Sequence, residues 1–267
     1  MTDYVSVRAK LSRAEEHLKT FESQLRSWIN SKPVSLVPAG PPKTHANGTS
    51  EDLNIKVSNP LPVSLSTIAG DCVHNFRSAL DHLAMALAID NGADPYDSTI
   101  SFPVCGSPDR FHGQPVRGTR PAVPPRGTGG YAIRALRPAE QAFIEGLQPY
   151  NGKRGSSDLA ELQHLDNRDK HRLILEPRLE ALVTFAPPPG VTYDYAAGLA
   201  LKDGAYFATV TYEPGYSGVK VQPPLSAGIC VERSNRLGFI EIQRFLRDDI
   251  LSLIRDEIVS EAERRFP

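Results

Sequence analysis

An α+β fold, in which a four-helix-bundle-like core carries an appended antiparallel β-sheet, is predicted by three observations. Apolar residues recur at helical spacing in four long stretches, centred near residues 20, 78, 164 and 250. Between residues 178 and 233 the texture changes to short β-rich runs separated by Pro and Gly. Helices and strands are therefore segregated along the chain rather than alternating, which argues against a parallel α/β sheet.

The first helix is marked by Leu11, Ala14, Leu18, Phe21, Leu25 and Trp28, one apolar stripe spaced by threes and fours, and Pro33 ends it. Residues 38 to 51 (PAGPPKTHANGTSE) have loop chemistry, and a short strand is expected at Leu53 to Val57. Ser64 or Ser66 is placed to cap a second helix that runs to Asp90, where Asn91-Gly92 stops it. Its apolar stripe is Cys72, Val73, Phe76, Leu80, Leu83 and Leu87.

Residues 106 to 130 hold repeated Pro, Gly and Arg without periodicity and predict a long surface loop; "GTGG" at 127 to 130 reads as a turn within it. Helical patterns return at Pro138 to Leu147 and from Ser157 to about His171. The runs "ALVTF", "GVTYDY", "AYFATVTY", "VKVQ" and "GICVE" predict an antiparallel meander. Ser234 or Asn235 then opens a last helix with Phe239, Ile242, Leu246, Ile250, Leu253 and Ile254 on one face. The expected organisation is a single domain over 1–267, with a helical part at 1–175 and 235–267 and a β-rich section at 178–233.

A chain of 267 residues has ample length for a core, and its net charge of −1 gives no global field toward nucleic acid or membrane. No apolar run approaches the roughly 18 residues a membrane span needs. From Arg8 onward the first thirty residues mix charge with hydrophobe, unlike a secretory signal. Cys72, Cys105 and Cys230 are odd in number and widely spaced, so buried thiols in a reducing cytoplasm are expected rather than disulfides or structural zinc.

The chemistry gathers in two clusters. In "VHNFRSALDH", residues 73 to 82, a helical wheel puts Asp71, His74, Asn75, Ser78, Asp81 and His82 opposite the apolar stripe, with Arg77 at the edge. Solvated helix faces favour Glu and Lys; Asp, Asn and His are poor helix formers, so something besides propensity selects them. In "HLDNRDKHR", residues 164 to 172, Asp166 and Asp169 fall in the same arc as Leu159, Leu162 and Leu173. Buried carboxylates need partners. Arg77, His74 and His82 on the neighbouring helix are the natural ones, and Lys170 can pair with Asp166 at i,i+4. The two clusters are therefore expected to face each other.

The stretches "GDCVHNFRSALDHLAMAL", "FPV" at 102 to 104, "LQPY" at 147 to 150 and "LDNRDKHRLIL" resemble a group of uncharacterised bacterial proteins that pair an HNLRSALDH helix with a later DKHR segment. That resemblance implies a shared fold over residues 60 to 175. More loosely, Arg77 to His82 is similar to the R-x4-6-H signature of the HEPN-type ribonucleases, helical bundles that dimerise and cleave RNA without a metal. The resemblance implies His82 as acid/base and Arg77 as the holder of the scissile phosphate. His74, Ser78, Asp81, Asp166, Asp169, Lys170 and His171 would orient them.

Three readings of the clusters stay open. The residues can form a buried network that fixes helix register. They can cleave or bind RNA; a rise of about 7.5 Å and a turn of about 140° between Arg77 and His82 then call for a homodimer. Or Asp71 and His74, with Asp166 or His164, can hold a metal in a helical bundle. The sequence has no G-x-G-x-x-G, P-loop or G-x-S-x-G motif and calls for no cofactor. Six arginines between 106 and 137, including Arg117, Arg120 and Arg126, stand against one acid, Asp109, and form a candidate phosphate-binding loop.

Overall fold

A computed structural model describes residues 2–115, 123–153, 155–170, 187–196, 202–216, 229–232 and 239–267. The fold is α+β: long helices share one apolar core, and an antiparallel sheet has its own.

Helix α1 (Val5–Asn30) buries the predicted stripe, extended by Val7. It packs antiparallel against α2 (Val63–Asp90): Ser64 reaches Gln24 near one end, and the Cys72 thiol meets the Ala14 carbonyl farther along. The Trp28 indole N–H donates to the carbonyls of Asn59 and Pro60, tying the end of α1 to the approach of α2. Neither Ser64 nor Ser66 caps α2. Pro62 sits in extended conformation just before it with no side-chain cap, so the helix starts two residues before the place a Ser64 cap would set, or four before that of Ser66, and Ser66 is buried inside it. The predicted stop holds, because Gly92 takes the positive φ of 84° that turns the chain.

The connection after α2 is not a featureless loop. Helix α3 (Pro108–His112) is capped by Ser107 and buries Phe111; α4 (Gly129–Ala132) is capped by Thr128. "GTGG" is thus a capped helical turn packed inside, where a Cβ on Gly129 would lie 2.7 Å from Cys105 Sγ and 2.9 Å from the Phe111 ring. Periodicity could not show this, since each helix is little more than one turn long. Helix α5 (Pro138–Gly146) follows, then α6 (Ser156–Asp169), which runs antiparallel to α2 so that Asp169, Asp166 and Gln163 stand beside Gly70, His74 and Arg77.

The sheet has the order β1-β3-β5-β4, with β2 paired to β3. Strands β1 (Val34–Pro38), β2 (Lys43–His45) and β3 (Gly48–Val57) precede α2, whereas β4 (Val191–Tyr195) and β5 (Tyr206–Tyr212) come from the predicted β section. The expected loop at 38–51 is therefore largely strand, and the sheet is not confined to 178–233. Leu53 and Ile55 pack with Leu36, Phe207 and Val210 in the sheet core. The predicted runs "ALVTF" and "VKVQ" lie outside the described residues. "GICVE" forms β6 (Cys230–Glu232), but it pairs with β7 (Phe239–Glu241), and Ile229, Val231 and Ile240 join the helical core instead.

Phe239 is thus in a strand, not on the last helix. That helix opens with α7 (Ile242–Arg244), capped by Glu241, whose carboxylate accepts the Gln243 and Arg244 N–H groups at 3.1 and 2.7 Å. It continues with π-type winding through Phe245–Val259 and closes as α8 (Ser260–Arg265). Ser234 and Asn235, the expected start, are outside the described residues. A four-helix bundle is not evident. The α1–α2 pair dominates the packing, and the core also takes Ile100, Phe102, Phe111, Ile133 and Ile144 from the segments between.

Candidate functional site

The residues on the outer side of α2 follow one strip: Asp71, His74, Ser78, His82, Met85 and Ile89 recur every three or four positions and keep access to solvent. The opposite face of the helix is apolar and packed against α1, α6 and the C-terminal helix, with Asn75, Arg77 and Asp81 at the margin between the two. Three arrangements form around this strip.

The first is an internal tie. Arg77 leaves the strip and is 11% exposed at its side chain. Its guanidinium donates to Gln163 Oε1 at 2.8 Å, to Asp81 Oδ1 at 2.8 Å and to the Phe102 carbonyl at 2.6 Å. Asp81 also accepts the Phe102 N–H at 2.9 Å. The next residues are held in the same way by Gln148, fully buried, whose amide serves Cys105 N–H and the Pro103 and Ile144 carbonyls, each at 2.9 Å. "RSALD", "FPV" and "LQPY" are therefore parts of one hydrogen-bonded frame.

The second is the contact between the clusters. Asp166, 2% exposed, accepts from His74 Nδ1 at 3.1 Å and from Lys170 Nζ at 2.6 Å. A carboxylate can only accept, so Nδ1 of the neutral imidazole carries the proton and Nε2 is an acceptor. Ser78 Oγ lies 3.5 Å from that Nε2. Asp169 is pressed against Gly70, where a Cβ would come within 2.3 Å of Oδ1. Burial, then the charges of Asp71 and Asp166, push the Asp169 carboxyl above its ordinary range, with His74 opposing. Arg77 pairs with Asp81 and Gln163 rather than with Asp166.

The third is an open cavity of about 670 Å³ at the far end of the strip. His82 enters it half-buried, with Asp81, Asp90 and, from the start of α1, Asp3 and Ser6. Met85, Ala86, Ile89, Pro95 and Ile100 supply apolar walls. Burial, followed by the nearby charge of Lys10, lowers the His82 pKa below 6.5, while Asp81 pulls it upward. Asp81 and Asp90 are engaged by Arg77 and Arg137; Asp3 accepts the Val5 N–H and has no cation beside it among the described residues. Asp3, Ser6, Lys10 and Asp90 were not singled out from sequence, because a cavity joining the start of one helix to the end of another leaves no local pattern.

The remaining candidates scatter. Arg117, Arg120 and His171 lie outside the described residues. Arg126 donates to the Tyr131 hydroxyl at 3.1 Å and lies over that ring. Arg134 pairs with Asp97, and Arg137 with Asp90 and Glu140, so these arginines have internal partners. Among the described residues no group of three or more His, Cys, Asp or Glu side chains is placed to hold a metal ion, and no helix is long and apolar enough to cross a membrane. All three cysteines are buried and outside any disulfide; burial raises the Cys72 and Cys105 thiols above the ordinary range. No family model, curated protein or solved structure matches the chain.

Proposed function

We propose that the chain is a ligand-binding protein whose site is the cavity around His82, and that the Arg77 and Gln148 ties are the frame that holds its walls. The observation that carries this reading is the convergence of half-buried His82 with Asp3, Asp81 and Asp90 beside the apolar walls of Met85, Ile89 and Ile100 within about 670 Å³. Concave sites that combine apolar walls with a few convergent polar groups are where small ligands bind. With His82 held neutral and no cation beside Asp3 among the described residues, the ligand class is a small organic amine with an apolar body. Buried thiols suit a cytoplasmic setting.

Thermal-shift and calorimetric titration with a panel of alkyl and aryl amines, carboxylates and mononucleotides tests the reading. Amines should bind, and Asp3→Asn should weaken them about tenfold, a loss of one charge-assisted hydrogen bond. Met85→Trp should fill the cavity and block binding without changing charge. Absence of amine binding overturns the proposal.

A second reading has one observation in its favour. Neutral His82 opens to solvent, as a general base for a ribose hydroxyl requires. Metal-independent RNA cleavage in the HEPN manner would then need a homodimer. Arg77 of the same chain is occupied by Gln163, Asp81 and Phe102, so a second protomer would have to bring the phosphate-binding cation. RNA cleavage that survives EDTA and disappears in His82→Ala would favour this over amine binding.

A further inference from the structure

We infer that Ser78, His74 and Asp166 form a nucleophile, base and positioning carboxylate that accept an acyl group from activated esters. The geometry runs in one line. Buried Asp166 holds His74 Nδ1 at 3.1 Å, which turns Nε2 outward as an acceptor, and the Ser78 hydroxyl stands 3.5 Å from it. That last distance is long for a hydrogen bond, as catalytic contacts often are before substrate binds. The His74 side chain is 55% exposed, so a substrate can reach the pair. Four residues separate Ser78 from His74, which places them one turn apart on the same face of α2. Lys170, at 2.6 Å from the other Asp166 oxygen, fixes the carboxylate without competing for His74.

This arrangement is independent of what fills the His82 cavity, which does not include Ser78 or His74 among its walls. The same types of group in this order activate a serine hydroxyl on unrelated folds. The reaction is an ordinary acyl transfer. Ser78 Oγ attacks the ester carbonyl carbon as its proton passes to His74 Nε2. The bond from that carbon to the aryl oxygen breaks, and His74 returns the proton to the departing phenolate. Water, giving a proton to Nε2, then cleaves the acyl-serine to the carboxylic acid, and Ser78 Oγ takes the proton back. Ser78 lies inside α2, where backbone N–H groups are used by the helix ladder, so no backbone pair is available for the oxyanion. That restricts the substrates to acyl groups with good leaving groups, such as aryl esters.

The test is covalent labelling of the full chain with a biotinylated fluorophosphonate, with the adduct located by peptide mass spectrometry. The expected result is one adduct on Ser78, absent in Ser78→Ala and formed about 100-fold more slowly or worse in His74→Gln. His74 is exposed, so His74→Gln should keep its melting transition, and circular dichroism verifies it. For Asp166, the readout is the His74 tautomer: nitrogen-15 NMR should show the proton on Nδ1 in the wild type and lose that preference in Asp166→Asn. If folded wild type gives no adduct, if the adduct is on another residue, or if His74→Gln labels at the wild-type rate, Ser78 is an ordinary surface serine and the inference is overturned.

Discussion

Arg77 and Asp81 hold the backbone of Phe102 from both sides: the guanidinium donates to its carbonyl, and the carboxylate accepts its N–H. The two side chains also bond each other at 2.8 Å. A segment with no helix or strand of its own thus has both backbone polar groups satisfied by α2. Removing the guanidinium would leave the Phe102 carbonyl and Gln163 Oε1 without this donor and Asp81 without its cation. Arg77→Ala should therefore cost about 3 kcal/mol in urea unfolding, and Arg77→Lys should recover only part of it, because an ammonium cannot match three directions at once. A loss below about 0.5 kcal/mol, the range of ordinary surface changes, would show that the tie is not structural.

Gly129 tests the interior of the 106–130 segment. Its Cβ position is crowded by Cys105 Sγ, the Phe111 ring and Pro103 Cβ at 2.7, 2.9 and 3.0 Å. Gly129→Ala should destabilise by about 1–3 kcal/mol through overpacking, although alanine is the better helix former. A stabilised variant would mean that the turn carries no tight packing.

Asp169 gives a pH signature. Its folded-state pKa is raised, first by burial and then by Asp71 and Asp166, so ionisation opposes folding. The cost is absent below the unfolded value near 3.8, grows as pH rises toward the folded value, and is fully present above it. Asp169→Asn should therefore raise the melting temperature at neutral pH and lose that advantage as pH falls into the carboxylate range. Parallel melts of both proteins across pH would show the two curves converging under acid.

His82 shifts in the opposite sense. Burial and Lys10 depress it below 6.5, so the folded chain resists protonation and loses stability as pH falls from about 6.5 toward the folded value. Lys10→Met should move the His82 titration upward in NMR, and His82→Gln should flatten the stability profile over that interval. An unchanged titration in Lys10→Met would exclude Lys10 as a contributor.

The helices were legible because their stripes are long and regular, as in Leu11 to Trp28. Asp166 and Lys170, spaced i,i+4 beside a neighbouring histidine, were legible for the same local reason. The second half of β3, Leu53 to Val57, was legible as a strand, whereas β2 and the first half of β3 were not. Their residues, from Lys43 to Asp52, are mostly polar and preceded by paired prolines, and only the Asn47-Gly48 turn signals a hairpin. Glycine is required there, since Gly48 has φ 127° and sits against the Tyr212 carbonyl. Arg77 and Asp81 pair as their i,i+4 spacing allows, and His74 is the one of the three candidate partners that reaches Asp166; that Gln163 also stands beside Arg77 is set by helix register, a tertiary property.

The sheet pairs Thr49 of β3 with Tyr212 of β5, while α1 and α2 meet across a connection of modest length. Closing so long a loop before any ladder contact forms is entropically slow, whereas the α1–α2 contacts span shorter separations, such as Gln24 to Ser64. The central strand pairing should be a late event in folding and the first to open under native conditions. Amides of β4 and β5 should then exchange with deuterium before those of α2, and the helical core should outlast the sheet when the two are challenged with a protease.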